Sequence, residues 1–406
     1  MQDVIIDKPY QFVAPYRGRF WPAVLKLILP QYLDHRYGIV GVSYRGTQHL
    51  IDSISAGHAI MLTPNHCRPS DPMVLGMLAK SVGTHFFTMA SWHVFMQSTL
   101  QSWLVRRAGG FSVYREGMDR AAVNAAVEIL ENARRPLVMF PEGAISRGND
   151  RLNSLMEGVA FIARTAARRR AKTAPPGQVV VHPVAMRYLF RGDLDAALSS
   201  VLDEIEARLS WRPRPPTSAV ERIYRVGQAL ACLKEVEYLG HAQSGELTQR
   251  LADLIDHLLR PLEQQWVEGR SDGSVISRVK RLRTAMLPDM IDGDLSDEQR
   301  DQRWLQMADL NLAQQLSNYP PDYVRSRPTP ERLLETVERF EEDLTDHVRV
   351  HRPMEVVIEV GPSIAVPASR SRKGTDSNSG DLMQTIEQQL TAMLGRLSEE
   401  LTAVGT

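Results

Sequence analysis

One strand-like run constrains this chain more than any other feature. MEVVIEV, at residues 354–360, follows a stretch from Asp193 to about His351 in which every pattern is helical. A strand on its own is only marginally stable in water, so this one must join a sheet built elsewhere. Upstream, from Tyr37 to about Tyr188, short β-rich runs alternate with helical patterns: GIVGVSY, HAIMLT from His58, THFFTM from Thr84, FSVY from Phe111, PLVMF from Pro136 and VVVHPVAM from Val179. That alternation is the rhythm of an α/β fold. The late strand is therefore expected to rejoin the N-terminal sheet, which makes the helical block an insertion before the last strand and not an appendage. No internal repeat at a fixed period is visible.

After the late strand come the turn Gly361-Pro362, a piece SRSRKGTDSNSG around Arg372 that reads as a mobile loop, and a final helix. Leu382, Ile386, Leu390, Met393, Leu397 and Leu401 recur every three or four residues along that helix, so its apolar stripe needs a surface to dock on. The expected organisation is an N-terminal interfacial helical segment over 1–36, the first part of the sheet domain over 37–192, the helical insertion over 193–351 and a closing strand and helix over 352–406.

Helix starts are legible at several points. Ser70-Asp71-Pro72 opens a helix over Met73 to Ala79, with Asp71 read as the N-cap and Pro72 at the first helical position. Ser296 with Gln299 forms a capping box ahead of Trp304, Met307 and Leu310, and Thr329-Pro330 opens a helix with Leu333, Val337, Phe340 and Leu344 on one face. Leu198, Val201, Ile205 and Leu209 begin the inserted block as an amphipathic stripe. From Ser81 to Val105 there is no Asp, Glu, Lys or Arg. Trp92, Phe95, Met96, Leu100, Trp103 and Leu104 recur there at helical spacing, which predicts an amphipathic helix that either packs on the core or lies in a bilayer interface.

Composition narrows the function classes. Lys+Arg 48 and Asp+Glu 48 cancel, so no global field gathers nucleic acid or an anionic bilayer, and any such contact is local. Neither GxxxxGK[ST] nor GxGxxG occurs, and no metal-ligand spacing is present. Two cysteines, Cys67 and Cys232, make no disulfide framework and no CxxC pair, which fits a reducing compartment. The start MQDVIIDKPYQF carries acids early and no secretory pattern, and no run of 18 apolar residues exists to span a bilayer.

The chemistry concentrates after the strand at His58, in TPNHCRPSDP. His66 and Asp71 stand five residues apart, and Pro64, Pro69 and Pro72 exclude a continuous helix through them. Both side chains thus lie in a compact loop between a strand end and a helix start, where open α/β sheets bind ligands. An imidazole held at one nitrogen by a carboxylate can serve as a base through the other. The bland alternative is an N-capping Asp71 beside a structural histidine. No GxSxG elbow supplies a protein nucleophile, and Cys67, adjoining His66, points away from it, so the attacking group is read as a substrate hydroxyl. Further on, GGFSVYR ends in Arg115, and LVMFPEGAISR places Glu142, Gly143, Ser146 and Arg147 just after a strand. Guanidinium forks match phosphate geometry, and a glycine lets main chain approach a ligand.

In order and spacing, NHCRPSD, GGFSVYR, FPEGAISR and VVVHPVA resemble the four conserved blocks of the glycerolipid acyltransferase superfamily, over roughly Tyr37 to Tyr188. The resemblance implies an acyltransferase-type mixed sheet flanked by helices, closed by the late strand and terminal helix. It implies that His66 deprotonates an acceptor hydroxyl as that attacks the thioester of acyl-CoA or acyl carrier protein, with Asp71 orienting it. Arg115, Glu142 and Gly143 would bind the acceptor's polar head, with Ser146 in the same block and Arg147 nearby, and Pro183 would belong to the donor side. No cofactor is implied beyond the acyl thioester co-substrate. The implied partners are that donor, a lyso-lipid or glycerol-phosphate acceptor and a membrane, met peripherally from its cytoplasmic face; no nucleic acid is expected. Arg68 stands where the family often has serine, and Ala144-Ile145 stand where it often has Thr-Arg, which argues for a less anionic acceptor than lysophosphatidate. A non-catalytic lipid-binding or tethering protein, or a hydrolase using water, are the competing readings.

Three further features carry two readings each. ARTAARRRAK, Ala163 to Lys172, and the loop around Arg372 are basic enough to touch anionic head groups, or simply solvate helix and loop ends. Phe20 and Trp21, with Tyr16, Arg17 and Arg19, suit an interfacial anchor or a helix packed on the sheet.

Overall fold

The computed structural model describes residues 5–173, 177–210, 217–320, 322–368 and 382–403; the loop around Arg372 and the Leu401 side chain lie outside these. The described residues fall into two compact units, one of residues 10–191 with those from 350 onward, the other of residues before 10 with 192–349.

The first unit runs α1 (Phe20–Tyr37), β1 (Ile39–Arg45), α2 (Thr47–Ser55), β2 (Ala59–Pro64), α3 (Asp71–Ser81), β3 (Phe87–Ser91), α4 (His93–Met96), α5 (Thr99–Ala108), β4 (Gly110–Val113), α6 (Arg120–Asn132), β5 (Leu137–Val138), α7 (Gly158–Arg170) and β6 (Val179–Phe190). The second unit then contributes α8 (Leu194–Leu209), α9 (Ala219–Leu239), α10 (Leu247–Trp266), α11 (Val275–Asp292), α12 (Asp297–Leu316), α13 (Tyr323–Ser326) and α14 (Pro330–Thr345). The chain returns to the first unit as β7 (Met354–Val360), β8 (Ile364–Val366) and α15 (Leu382–Ala403).

The strands make one mixed sheet of eight, ordered β1-β7-β6-β2-β5-β3-β4, with β8 also on β6. The lone late strand is interior: β7 runs parallel to β1 and antiparallel to β6, with Val42 opposite Val356 and Met186 opposite Ile358. From β6 across to β4 every pairing is parallel. Strands covered on both faces read as continuous apolar runs, which is why β2 and β6 are buried along their whole length. α15 docks on this sheet as its stripe requires. Leu382, Ile386 and Leu390 enter the core with α6 and α7, and Met393 and Leu397 pack on Ala185, Leu189 and Val357.

Two local expectations need correction. The helical spacing from Trp92 to Leu104 is not one helix: after β3, which forms within the strand expected from Thr84, it breaks into α4 and α5 where extended Ser98 accepts the Gln101 N–H at 3.1 Å. Trp92 and Phe95 are buried, whereas Leu100 stays 65% exposed. Asp71 is not the cap of α3 either, because its carboxylate turns back onto the preceding loop.

In the helical unit the expected caps are present. Ser296 and Gln299 form a reciprocal capping box and Thr329 accepts the Arg332 N–H. Leu254, Leu258, Leu282, Met286, Met307 and Leu310 form the core of α10–α12, against which Ile5 packs. A feature absent from the sequence reading recurs here. Arg222 grips Glu206, Arg250 grips Glu235 and Arg278 grips Glu263, each through Nε and Nη2 on both carboxylate oxygens, at 2.7–3.1 Å. Arg303 repeats the contact on Asp289 with one bond of 3.1 Å. Each acid lies near the end of one helix and each arginine near the start of the next, 14 to 16 residues on.

Candidate active site

β2, β3, β4 and β5 are parallel neighbours, so their C-terminal ends share one edge of the sheet. The loops carrying His66, Arg115 and Glu142–Arg147 all leave from that edge, where open α/β sheets place ligands.

Asparagine amides fasten two of these loops to β6. The β2–β6 ladder ends at Pro64 opposite Val184, after which Asn65 continues it with a backbone bond of 3.2 Å to Val184. Its side chain then imitates a peptide: Oδ1 accepts the Met186 N–H at 2.7 Å and Nδ2 donates to the Met186 carbonyl at 3.1 Å. Asn149 does the same two residues along, accepting the Tyr188 N–H at 2.7 Å and donating to its carbonyl at 2.6 Å. A paired amide is a cheap way to end a strand without orphaning its neighbour's backbone groups.

Asp71 is fully buried, and both of its oxygens are engaged. Oδ2 accepts His66 Nδ1 at 2.8 Å, the Cys67 N–H at 2.8 Å and the Arg68 N–H at 3.0 Å. Oδ1 accepts the Tyr188 hydroxyl at 2.5 Å, and that hydroxyl also lies 3.0 Å from Ser70 Oγ. Burial, with the Asp71 charge beside it, holds the Tyr188 phenol well above its ordinary range, so it stays a donor. With Nδ1–H committed to the carboxylate, the neutral imidazole keeps its lone pair on Nε2. The His66 side chain is 16% exposed, which leaves the ring open to a small group.

The third sequence block wraps this base. Phe140 stacks on the His66 ring, centroids 4.0 Å apart. Glu142 Oε1 accepts the His66 backbone N–H at 2.7 Å, and the Ser146 N–H donates to the His66 carbonyl at 2.7 Å, so the histidine's peptide groups are gripped from both sides. Glu142 Oε2 accepts the Asn153 N–H at 2.9 Å. Burial pushes the Glu142 carboxyl up to about 8 against the pull of those two N–H donors. Ser146 Oγ bonds within its own turn, to Gly148. Gly143 takes φ 69°, a conformation that strains other residues, and a Cβ there would displace Met156 Sδ, 2.1 Å away. Arg147 also adopts a left-handed backbone, φ 56°.

Arg115 occupies the turn after β4 and makes no hydrogen bond or ion pair with any described residue. Burial lowers its pKa, with Glu116 opposing. Three strand spacings, roughly 14 Å at about 4.8 Å each, separate β4 from β2 across the sheet. The sequence reading therefore finds His66 and Asp71 joined as expected, Glu142 and Ser146 engaged with the base's own backbone, and Arg115 apart from both. It missed Tyr188, Phe140 and Asn149, and took Asn65 only as part of its motif. Their one sequence signal is position, since each lies in or beside a recognised block.

The arrangement can take a proton from a hydroxyl and return it to a leaving group. A comparison with curated proteins found no match to the chain. The acyltransferase family model matches residues 45–187, from the end of β1 to the Arg187 that precedes Tyr188. That span holds the loop of His66 and Asp71, the turn of Arg115 and the cradle around the base, and it is an acyltransferase domain of the glycerolipid type.

Proposed function

We propose that this protein moves a fatty acyl group from acyl-CoA or acyl carrier protein to the hydroxyl of a lysophospholipid or glycerol phosphate, working peripherally at the cytoplasmic face of a membrane. The observation that carries this reading is the His66 Nδ1–Asp71 Oδ2 bond of 2.8 Å, in a loop whose Cys67 and Arg68 N–H groups hold the same carboxylate oxygen. His66 Nε2 removes the acceptor's proton as its oxygen attacks the thioester carbonyl. Asp71 stabilises the imidazolium, the C–S bond breaks as the ester C–O bond forms, and the imidazolium returns the proton to the leaving thiolate. The enzyme itself is not acylated.

Arg115, which makes no hydrogen bond or ion pair with any described residue, is assigned to the acceptor's anionic head, with Arg147 beside the loop that holds the base. Glu142, Gly143 and Ser146 act at this site by shaping the main chain around His66. No helix among the described residues is long and apolar enough to cross a membrane. The test is thiol release from acyl-CoA and acyl carrier protein with a panel of lyso-lipids and glycerol 3-phosphate, followed by mass spectrometry of the lipids. Acceptor-dependent release that yields a new ester and falls by about 10²- to 10⁴-fold in His66→Ala supports transfer. Free fatty acid alone would make the protein a hydrolase, and no turnover above the variant would make it a lipid-binding module.

A further inference from the structure

We propose that the outer faces of α1 and α5 form a single docking surface for an anionic phospholipid bilayer. On α1, Phe20, Leu27 and Ile28 fall on one face at i, i+7 and i+8, and Phe20 and Leu27 are 65% and 69% exposed. On α5, Leu100, Trp103 and Leu104 repeat the pattern at i, i+3 and i+4, and this helix buries none of its residues. Trp21 of α1 meets Trp103 of α5 edge to face, centroids 4.8 Å apart, which fuses the two stripes. A contiguous exposed apolar face of this kind marks a surface that meets something.

Charge identifies the occupant. From Lys8 to Leu33 and from Pro72 to Arg115 the chain carries no Asp or Glu, so both helices and their approaches are free of acid over their exposed apolar residues. The Arg107 guanidinium lies over the rings of Tyr16, Trp21 and Trp103 at 4.9, 5.8 and 5.5 Å. Arg106 is held at the rim by its bond to the Ala14 carbonyl. Arg19 adds an exposed cation at the start of α1, whereas Lys26 and Arg135 lie beneath this face, donating to the Ala79, Thr84 and Phe86 carbonyls, and burial lowers Lys26 to about 8 and the neighbouring His85 to about 4. Tryptophan and arginine set around aliphatic side chains suit the boundary between head groups and acyl chains, and bilayer phosphates would supply the counter-charge. A second copy of this chain would not, because a two-fold contact sets each cationic rim against its equal.

The surface also connects to the substrate end of the sheet. Gly109, φ 108°, reverses the chain between α5 and β4. Ten helical residues at about 1.5 Å and four strand residues at about 3.3 Å cover similar lengths, so the first turn of α5, with Leu100, returns to the end of β4 that Arg115 follows. A lipid acceptor would then pass from bilayer to Arg115 without crossing water. This link rests on the acyl-transfer reading, whereas the docking surface does not.

The test uses the full chain and needs no turnover. Sedimentation with vesicles of phosphatidylcholine and phosphatidylglycerol should show binding, with tryptophan emission shifted to the blue and quenched by brominated acyl chains. The double variant Leu27→Glu/Leu100→Glu should lose vesicle affinity by on the order of a hundredfold. Leu233→Glu/Leu305→Glu, at exposed leucines of the helical unit, should leave binding unchanged. Phe20→Ser/Leu100→Ser repeats the test with milder changes if the first variant melts early. Equal partition of wild type and both α1/α5 variants would overturn the proposal. So would wild type that ignores vesicles, including the case where it sediments as a dimer that Leu27→Glu/Leu100→Glu splits. Failure of the enzyme assay leaves each of these outcomes readable.

Discussion

Asp71→Asn separates the charge of the carboxylate from its geometry, because the surrounding donors dictate how an amide must sit. Oδ2 of Asp71 accepts three N–H groups, from His66 Nδ1, Cys67 and Arg68. An amide that turned its NH2 toward that cluster would face two backbone donors that cannot move, leaving buried N–H groups orphaned at about 1–3 kcal/mol each. The asparagine is therefore forced to present its oxygen there, which keeps the proton on His66 Nδ1 and the lone pair on Nε2. Its NH2 then faces Tyr188, whose hydroxyl can accept from it while donating to Ser70 Oγ, 3.0 Å away. Every hydrogen bond between oxygen and nitrogen groups survives in this arrangement, the weak Cys67 Sγ contact at 3.9 Å aside, and the main loss is the stabilisation of the imidazolium by a negative charge. We expect kcat to fall about 10²-fold, or about 2.7 kcal/mol of barrier, whereas a wrong tautomer costs nearer 10⁴-fold. Asp71→Ala, which orphans the same donors, should lower the melting temperature steeply, and Asp71→Asn should not. Thiol-release kinetics and melting curves on the two variants decide the matter. A loss of 10⁴-fold in a normally melting Asp71→Asn would refute the forced orientation, and undiminished kcat would refute the electrostatic role.

Other predictions follow from neighbouring contacts. Tyr188→Phe removes one donor to a buried carboxylate, so stability should fall by about 1.5–3 kcal/mol in urea titrations; kcat should drop with both KM values unchanged, and a change confined to KM would argue for direct substrate contact. The Glu142 carboxyl titrates at about 8 in the fold and from an ordinary value of 4.5. Between those values the folded state binds more protons than the unfolded chain, so stability should fall as pH rises through that window and level off above it. Glu142→Gln should flatten this slope, and an unchanged slope would place the titration elsewhere. In the helical unit, Glu263→Ala leaves the buried Arg278 guanidinium with Asp256 as its remaining carboxylate and should cost about 1–3 kcal/mol, while Glu263→Met/Arg278→Leu should cost less; equal losses in chemical denaturation would show that the pair is not the source.

The sheet was legible because its strands are short, β-rich and separated by clear turn signals, and the lone run at 354–360 could be placed because a strand needs partners. The lengths of weak elements were not legible. PLVMF shrinks to the two residues of β5, and the helical spacing that follows β3 splits into α4 and α5. At the site, three prolines were enough to bring His66 and Asp71 together, since they left one loop for both. Glu142 and Ser146 were read as ligands for a head group because a motif gives residue types at strand ends and says nothing of which way they turn. Here one side chain and one main-chain N–H turn inward, onto the peptide of His66. Tyr188 stands far from Asp71 in the chain, so its role depended on the pairing of β2 with β6, which periodicity alone does not specify.

The clasps of the helical unit bear on how the late strand reaches its place. β6 and β7 are antiparallel neighbours, with Phe190 opposite Met354, so the whole helical block is topologically the connection of a β-hairpin. Closing a flexible loop of roughly 160 residues costs about 4–5 kcal/mol of chain entropy, all of it charged to the docking of β7. The contacts that order the block are local: Glu206–Arg222, Glu235–Arg250, Glu263–Arg278 and Asp289–Arg303 span only 14 to 16 residues each. The block's exit is tied to its entry as well, since Arg349 donates to the Ser200 carbonyl and to Glu204 of α8. A unit that orders through short-range contacts and brings its own ends together removes most of that closure cost before β7 pairs. Arginine suits the task better than lysine, because a two-bond fork fixes the register of one helix on the next where a point charge would let it slide. Arg222, Arg250 and Arg278 are equally spaced along the sequence, yet no repeat is visible there because one acid and one arginine per helix recur within otherwise unrelated residues.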